Sequence, residues 1–389
     1  MDLYFITEAR FFKKGDAYYT EGSFTSSLWK RYLTVYDEIF VVARVKELED
    51  TVKVDPNLRS DMKHVNFLPI PYYIGAFGFV LNKRKIASVM KREFTKGSSY
   101  ILRVPGLVGV VASDVLKKKG LKYGVEVVGD PYEVFTPNGN ILMHLIRNYN
   151  VKLLKAIVKN ADTSIYVTEK KLQSRYPSKK NSFSTHASNV ILNGEIIEKL
   201  PRVIDIDTPR IVTIGMLSQM YKAPDVVIDS LRILKNKGIK CFVTWVGDGK
   251  YKNEMIQYAK EKGVSDMIEF VGLVPAGEAV RKILYTNNLF ILVSRTEGLP
   301  RALIEAMASG IYCIATRVGG IPELIDDKWL IDSDNSIQLA NSIEMCINNP
   351  ELVKKQIEEN LDKVHQYSET ILIRRREDFY KELIKISNK

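Results

Sequence analysis

Four histidines, three cysteines and no apolar run long enough to cross a bilayer set the first limits on this 389-residue chain. Cys241, Cys313 and Cys346 lie in or beside apolar segments, with neither paired spacing nor metal-ligand spacing. That pattern excludes a disulfide scaffold and a thiolate metal centre, and reads as reduced core residues of a cytoplasmic protein. His64, His144 and His365 stand alone, and His186 sits in Ser184-Thr185-His186. None forms a nucleophilic triad or a metal pattern. No stretch approaches the roughly 18–20 apolar residues of a membrane span, and Asp2 occupies the place where a signal peptide wants positive charge. A cytoplasmic location is therefore expected, with peripheral contact at the inner face of the membrane still open. Neither half carries a GxGxxG fingerprint at its first turn, which counts against a nicotinamide dehydrogenase. Low-complexity segments and short repeats are absent too.

What is present is an uneven charge. Residues 1–205 hold 32 Lys+Arg against 21 Asp+Glu, whereas 206–389 hold 25 of each, so the first half carries the whole net +11. Within it, Lys83–Lys122 has eleven basic and two acidic residues. Solvated helix faces would account for such a stretch, as would a surface for anionic lipid or an anionic acceptor. No zinc spacing or aromatic-interleaved module accompanies the charge, so nucleic acid is not the expected partner.

The chain is too long for one core and alternates strand with helix in two blocks. In the first, strands are expected at Asp2–Thr7, Glu38–Ala43, Val65–Pro69, Ser99–Val104, Gly124–Val128 and Thr163–Val167. Helices are expected at Leu28–Tyr36, Phe77–Phe94 and Val108–Lys119, with Gly15 and Gly22 in a polar loop; Val151–Lys159 is amphipathic. Asn189–Pro209, with Asn193-Gly194 and Pro201, is the expected linker. The second block runs Arg210–Ile214, Pro224–Asn236, Lys240–Val246, Tyr251–Lys262, Met267–Val271 and then Leu289–Val293. Late helices follow at Ser336–Asn348, Glu351–His365 and Glu369–Ile386. The fold class is α/β, with two doubly wound halves.

The second block is organised around Ser294–Ile325, a strand–loop–helix–strand unit in which Glu297 and Glu305 are separated by seven residues. Ligands of open α/β sheets collect beyond the carboxyl ends of the strands, where Glu297 would sit. Glu305 lies in a helix otherwise made of Ala302, Leu303, Ile304, Ala306, Met307 and Ala308. A carboxylate there needs a partner, and the vicinal hydroxyls of a ribose would satisfy both oxygens. Glu297 stands beside the N–H groups of Gly298 and Leu299 at a helix N-terminus, which suits a polar or anionic ligand. A capping Glu and a buried salt bridge would give the same spacing. Gly215 opens the loop that leads to Lys222, a diphosphate contact or a plain surface lysine. Gly247-Asp248-Gly249 reads as a tight turn, and Gly319-Gly320 as a loop that lets backbone approach a phosphate. In the first block Asp130 follows a strand end, as a substrate contact or a turn-forming Asp-Pro.

Glu297-Gly298-Leu299-Pro300-Arg301-Ala302-Leu303-Ile304-Glu305, with Gly319-Gly320-Ile321-Pro322-Glu323, closely resembles the Glu-x7-Glu block of family 4 retaining glycosyltransferases. The likeness continues through Gly215…Lys222, Val246-Gly247-Asp248-Gly249 and Phe270-Val271-Gly272, spanning about 210–330. It implies the GT-B fold: two Rossmann-like domains facing across a cleft. These would be an acceptor domain at 1–200, a nucleotide-sugar domain at 208–365, and a terminal helix at 366–389 packing back on the first. It implies that Glu305 binds the donor ribose and Glu297 contacts the donor sugar, with Gly298 and Leu299 near its hydroxyls. Lys222 would stabilise the departing diphosphate, and Gly272 would lie near the base. No cofactor or metal is expected. Two positions depart from the pattern: Met216 stands where an arginine is common, with Arg295 or Lys222 as compensating cation, and Gly129 replaces a loop histidine beside Asp130.

The function implied is transfer of a sugar from a UDP- or GDP-sugar to a lipid-linked saccharide acceptor, in cell-surface polysaccharide or lipopolysaccharide assembly. The basic first domain would face the cytoplasmic membrane surface. A sugar-nucleotide epimerase of the same architecture, acting on the donor alone, and a non-catalytic sugar-nucleotide-binding protein are the alternatives.

Overall fold

Strand β1 (Leu3–Lys14) is twelve residues long because two patterns run together in it. Leu3–Ile6 is continuously apolar and buried on both faces, as a central parallel strand requires. Arg10–Lys14 buries only Phe11 and runs on to turn at Gly15 (φ +57°) into β2 (Ala17–Thr20), pairing antiparallel. The hairpin replaces the expected polar loop: the β-prone Ala-Tyr-Tyr-Thr stretch seats Tyr18 flat on Phe67 with ring centroids 4.1 Å apart. The computed structural model describes residues 1–22, 24–134, 141–190, 192, 197 and 209–388.

The remaining elements of the first half are α1 (Ser26–Trp29), β3 (Ile39–Glu47), β4 (Val65–Ile70), α2 (Gly75–Glu93), β5 (Ser99–Val104), α3 (Leu107–Lys119), β6 (Gly124–Val127), α4 (Pro131–Val134), α5 (Ile141–Asn160), β7 (Thr163–Tyr166), α6 (Lys171–Arg175) and β8 (Phe183–His186). The expected helix over Leu28–Tyr36 shortens to α1 and a coil of turns. There the side chains of Trp29 and Tyr32 reach inward, to the Ser60 carbonyl and the Glu126 carboxylate. Among the described residues the sheet order is β4-β3-β1-β5-β6-β7-β8, all parallel, with β2 appended to β1. Helices α2, α3 and α5 share one apolar core with a face of this sheet, α3 lying between the other two.

The second half holds β9 (Arg210–Ile214), α7 (Pro224–Asn236), β10 (Phe242–Val246), α8 (Lys252–Glu261), β11 (Ile268–Gly272), α9 (Glu278–Tyr285), β12 (Leu289–Leu292), α10 (Arg301–Ala308), β13 (Tyr312–Thr316), β14 (Leu330–Ile331), α11 (Ser336–Asn348), α12 (Pro350–Val364) and α13 (Glu369–Ser387). Its sheet, again parallel, is ordered β11-β10-β9-β12-β13-β14.

Two compact units result: Met1–Ala187 with Ile373–Lys389, and Ser188–Leu372. Helix α13 thus begins in the second unit and ends in the first, where Tyr380 packs beside Tyr32. Most of the expected linker, including Asn193-Gly194 and Pro201, lies outside the described residues. Among the described residues no helix is long and apolar enough to cross a membrane.

Candidate active site

The strand order of the second unit reverses between β9 and β12: the chain moves outward through β10 and β11, then returns to build β12, β13 and β14. Such a switch point opens a crevice beyond the carboxyl ends of its two strands. Gly215 leaves β9 on one side of it, and Ser294–Glu297 leaves β12 on the other.

The β9 loop is pressed against the β10 loop. Gly215 N–H donates to the Val246 carbonyl at 2.9 Å, Trp245 Nε1 donates to the Gly215 carbonyl at 2.9 Å, and Leu217 N–H donates to the Asp248 carbonyl at 2.8 Å. A Cβ at Gly247 (φ +140°) would fall 2.1 Å from the Gly215 oxygen, and one at Gly249 (φ +154°) 2.2 Å from Leu217 backbone. Both positions therefore require glycine. The expected tight turn is a backbone-to-backbone seat that fixes the crevice wall. Lys222 closes a short turn, Met220–Lys222, and its stem lies over Gly215, where a Cβ would come within 2.8 Å of Lys222 Cγ.

Across the crevice, Glu297 Oε1 receives two donors, Lys222 Nζ at 2.5 Å and Ser294 Oγ at 2.7 Å. The loop is braced from behind. Thr316 Oγ1 donates to the Ser294 carbonyl at 2.6 Å, and Gly320 N–H to the Gly298 carbonyl at 2.7 Å. Gly319 (φ +53°) comes so close that a Cβ would sit 1.9 Å from the Glu297 backbone carbonyl oxygen. The N–H groups of Gly298 and Leu299 donate to no acceptor among the described residues and precede α10, whose N-terminal dipole favours negative charge.

Glu305 lies on α10 between buried Ile304 and Ala306. Its carboxylate makes no hydrogen bond or ion pair with any described residue. Burial raises its pKa above the ordinary carboxyl range, while the charges of Arg301 and Arg281 pull it back down. Arg281 belongs to α9, a helix passed over in the sequence because its apolar positions are confined to eight residues. Gly272 ends β11 at φ +81°, and a Cβ there would be 3.3 Å from Asp248 Oδ2.

Two expected site residues have other employment. Asp130 is buried: Oδ1 accepts from Tyr176 OH at 2.5 Å and from Tyr132 N–H at 2.9 Å, and Oδ2 pairs with Arg175. With both oxygens engaged, Asp130 caps α4 and is tied to Tyr176 and Arg175. Arg295 donates through Nη2 to Asp225 at 2.6 Å, through Nε to Asp334 at 2.7 Å and through Nη1 to the Met220 carbonyl at 2.5 Å. It ties the β12 loop to the turn that carries Lys222.

Glu8 was missed in the sequence. The first unit has its own switch point between β1 and β5, and Glu8 stands there, in the segment where the β1–β3 register shifts between Ile6 and Arg10. Its Oε2 accepts from Val108 N–H at 2.8 Å, filling the N-terminus of α3, and its Oε1 accepts from Tyr73 OH at 2.5 Å. Arg44 lies 3.4 Å from Oε1. A lone Glu in a polar-looking stretch gives no signal until strand order places it.

A doubly wound pair of parallel-sheet units, one with a carboxylate–lysine pair and glycine-built loops at its switch point, has the GT-B fold of solved glycosyltransferases, and the family match supports that class. Within that class, residues 197–363 match the family described as glycosyl transferases group 1. Over nearly its whole length the chain is similar to Protein CapJ of Staphylococcus aureus, 29% identical over 388 residues that cover 99% of this chain and 97% of CapJ. Several further relatives align over less than half of their own length. Among solved structures, the lipopolysaccharide outer core galactosyltransferase WaaB superposes with a TM-score of 0.69 at 16% identity, covering 98% of this chain and 99% of that one. Anabaena HepE in complex with UDP superposes with a TM-score of 0.67 at 15% identity, over 98% and 100% of the two chains.

Proposed function

We propose that this chain is a retaining, family 4-type glycosyltransferase that moves a sugar from a UDP- or GDP-sugar to a lipid-linked saccharide in cell-surface polysaccharide or lipopolysaccharide assembly. It would act from the cytoplasm at the inner face of the membrane. The observation that carries this reading is the divided labour of two carboxylates eight positions apart. Glu297 is held by Lys222 and Ser294, whereas the Glu305 carboxylate makes no hydrogen bond or ion pair among the described residues.

In this reading the second unit binds the donor. Glu305 accepts the two ribose hydroxyls, and Gly272 borders the base. Gly298 and Leu299 offer N–H groups to the sugar, and Glu297 contacts its hydroxyls. An ammonium carries three donors, so Lys222 can keep one on Glu297 and turn the others to the diphosphate. As the glycosidic bond breaks, negative charge grows on the leaving phosphate, and a fixed cation beside it lowers the barrier. The acceptor hydroxyl attacks on the same face, its proton passing to the leaving phosphate oxygen. No metal is assigned to the step; Lys222 and the α10 N-terminus carry the charge. The names of WaaB and of the HepE complex, a lipopolysaccharide galactosyltransferase and a UDP-bound protein, support the process and the donor class.

The test is a screen of UDP- and GDP-sugars for binding and slow hydrolysis, followed by NMR of the product anomer with and without EDTA. Retention of the donor configuration, insensitive to EDTA, is expected. Inverted product, or no engagement by any sugar nucleotide, would overturn the reading.

A further inference from the structure

Eight apolar side chains that are each 62% exposed or more stand on two helices of the first unit: Ile74, Phe77, Val80 and Leu81 at the start of α2, and Ile141, Leu142, Leu145 and Tyr149 on α5. Each set follows helical spacing, so each is a stripe on one face of its helix. Both helices start at the carboxyl edge of the sheet, after β4 and after β6 and α4, and pack on the same sheet face with α3 between them. The two apolar stripes therefore lie at the same edge of this unit.

Both stripes change character halfway along. On α2 the face continues into Arg84, flanked by Lys83 and Lys85; on α5 it continues into Lys152 and Lys159, with Lys155 beside them, all exposed. Helix α3 ends between them on Lys117, Lys118 and Lys119, and α5 carries no acidic residue. An apolar rim backed by a basic belt matches the depth profile of a bilayer surface, with acyl chains below and phosphate headgroups above.

We propose that the first unit docks on anionic bilayers by sinking the N-terminal halves of α2 and α5 below the headgroups, with the basic halves at phosphate level. Charge selects this occupant. A second copy of the same face would set cation against cation, and a nucleic acid would gain nothing from eight exposed apolar groups. The docking rests on the lipid-linked acceptor reading above and adds to it the inserting residues and an orientation: the bilayer meets the edge that carries Glu8.

Flotation of the full chain with vesicles of phosphatidylcholine, alone or with phosphatidylglycerol, tests this. The chain is expected to float with the anionic vesicles and to remain partly bound in high salt, because insertion is not screened. Phe77→Ser with Leu81→Ser, and separately Leu142→Ser with Leu145→Ser, should each cut partitioning at least about tenfold. A Phe77→Trp variant should shift its emission to the blue on binding and be quenched by brominated lipid. Indifference of the wild type to anionic vesicles, or complete release by salt with no effect of the serine pairs, would overturn the proposal. So would serine pairs that convert an oligomer to a monomer in sedimentation while vesicle binding stands. Donor hydrolysis measured without vesicles keeps the two readings apart. It should be unchanged in the serine pairs, and its absence from the wild type would count against the transferase reading alone.

Discussion

The two units share a parallel sheet with a reversal of strand order at its middle, yet they treat the crevice beyond it in opposite ways. In the first unit Glu8 fills the N-terminus of α3 and is held by Tyr73 and Arg44, while nearby Asp130 spends both oxygens on Arg175, Tyr176 and the Tyr132 amide. In the second, the N–H groups ahead of α10 have no acceptor and the Glu305 carboxylate makes no hydrogen bond or ion pair among the described residues. A polar group taken out of water without a partner costs about 1–3 kcal/mol. The fold carries that cost at Glu305 and avoids it at Asp130. Under the proposed function, that difference would separate a ligand-binding carboxylate from a structural one.

The largest test of that contrast is Lys222→Ala, which removes the cation paired with Glu297 and proposed for the leaving group. A fall of about 10²–10³ in kcat for transfer or donor hydrolysis is expected, from single-turnover measurements. Near-normal turnover would place the leaving-group cation elsewhere. Next comes Asp130→Ala, which removes the carboxylate shared by Tyr176 OH, the Tyr132 amide and Arg175, and leaves Arg175 with Glu133. It should cost about 2–3 kcal/mol and lower the Tm by roughly 5–10 °C with donor affinity intact. Weakened donor binding at an unchanged Tm would return Asp130 to the site. The smallest effect is expected from Arg281→Gln. Arg281 holds the Glu305 pKa down against burial, so removing it lets that pKa rise, and the ionised form is lost at a higher pH on acidification. Donor Kd measured against pH should show its acid limb moved upward, with less than about a tenfold change at neutral pH.

Much of the fold was legible because its strands are buried on both faces. Arg210–Ile214, Ser99–Val104 and the helices Pro224–Asn236 and Ser336–Asn348 fall where apolar runs and end signals place them. The β1–β2 hairpin was not legible, since Arg-Phe-Phe-Lys-Lys at 10–14 has no strand alternation and only the aromatic packing of Phe11 and Tyr18 decides it. The loops around Glu297 were legible from spacing and glycines. The partners of Asp130 and Arg295 were not, because Tyr176 and Asp225 are 46 and 70 residues away in sequence and only the fold brings them near. Glu8 needed the strand order itself.

The account stands most directly on Glu305. Titration calorimetry of the preferred nucleotide sugar against wild type and Glu305→Gln, with Tm recorded for both, examines it in one experiment. A carboxyl whose folded pKa is raised lowers stability as pH rises from the unfolded to the folded pKa, and the penalty stays constant above that. Glu305→Gln should therefore keep or raise the Tm at neutral pH while weakening donor binding about 10- to 100-fold. A variant that binds donor as tightly as wild type, or that loses stability along with binding, would contradict it.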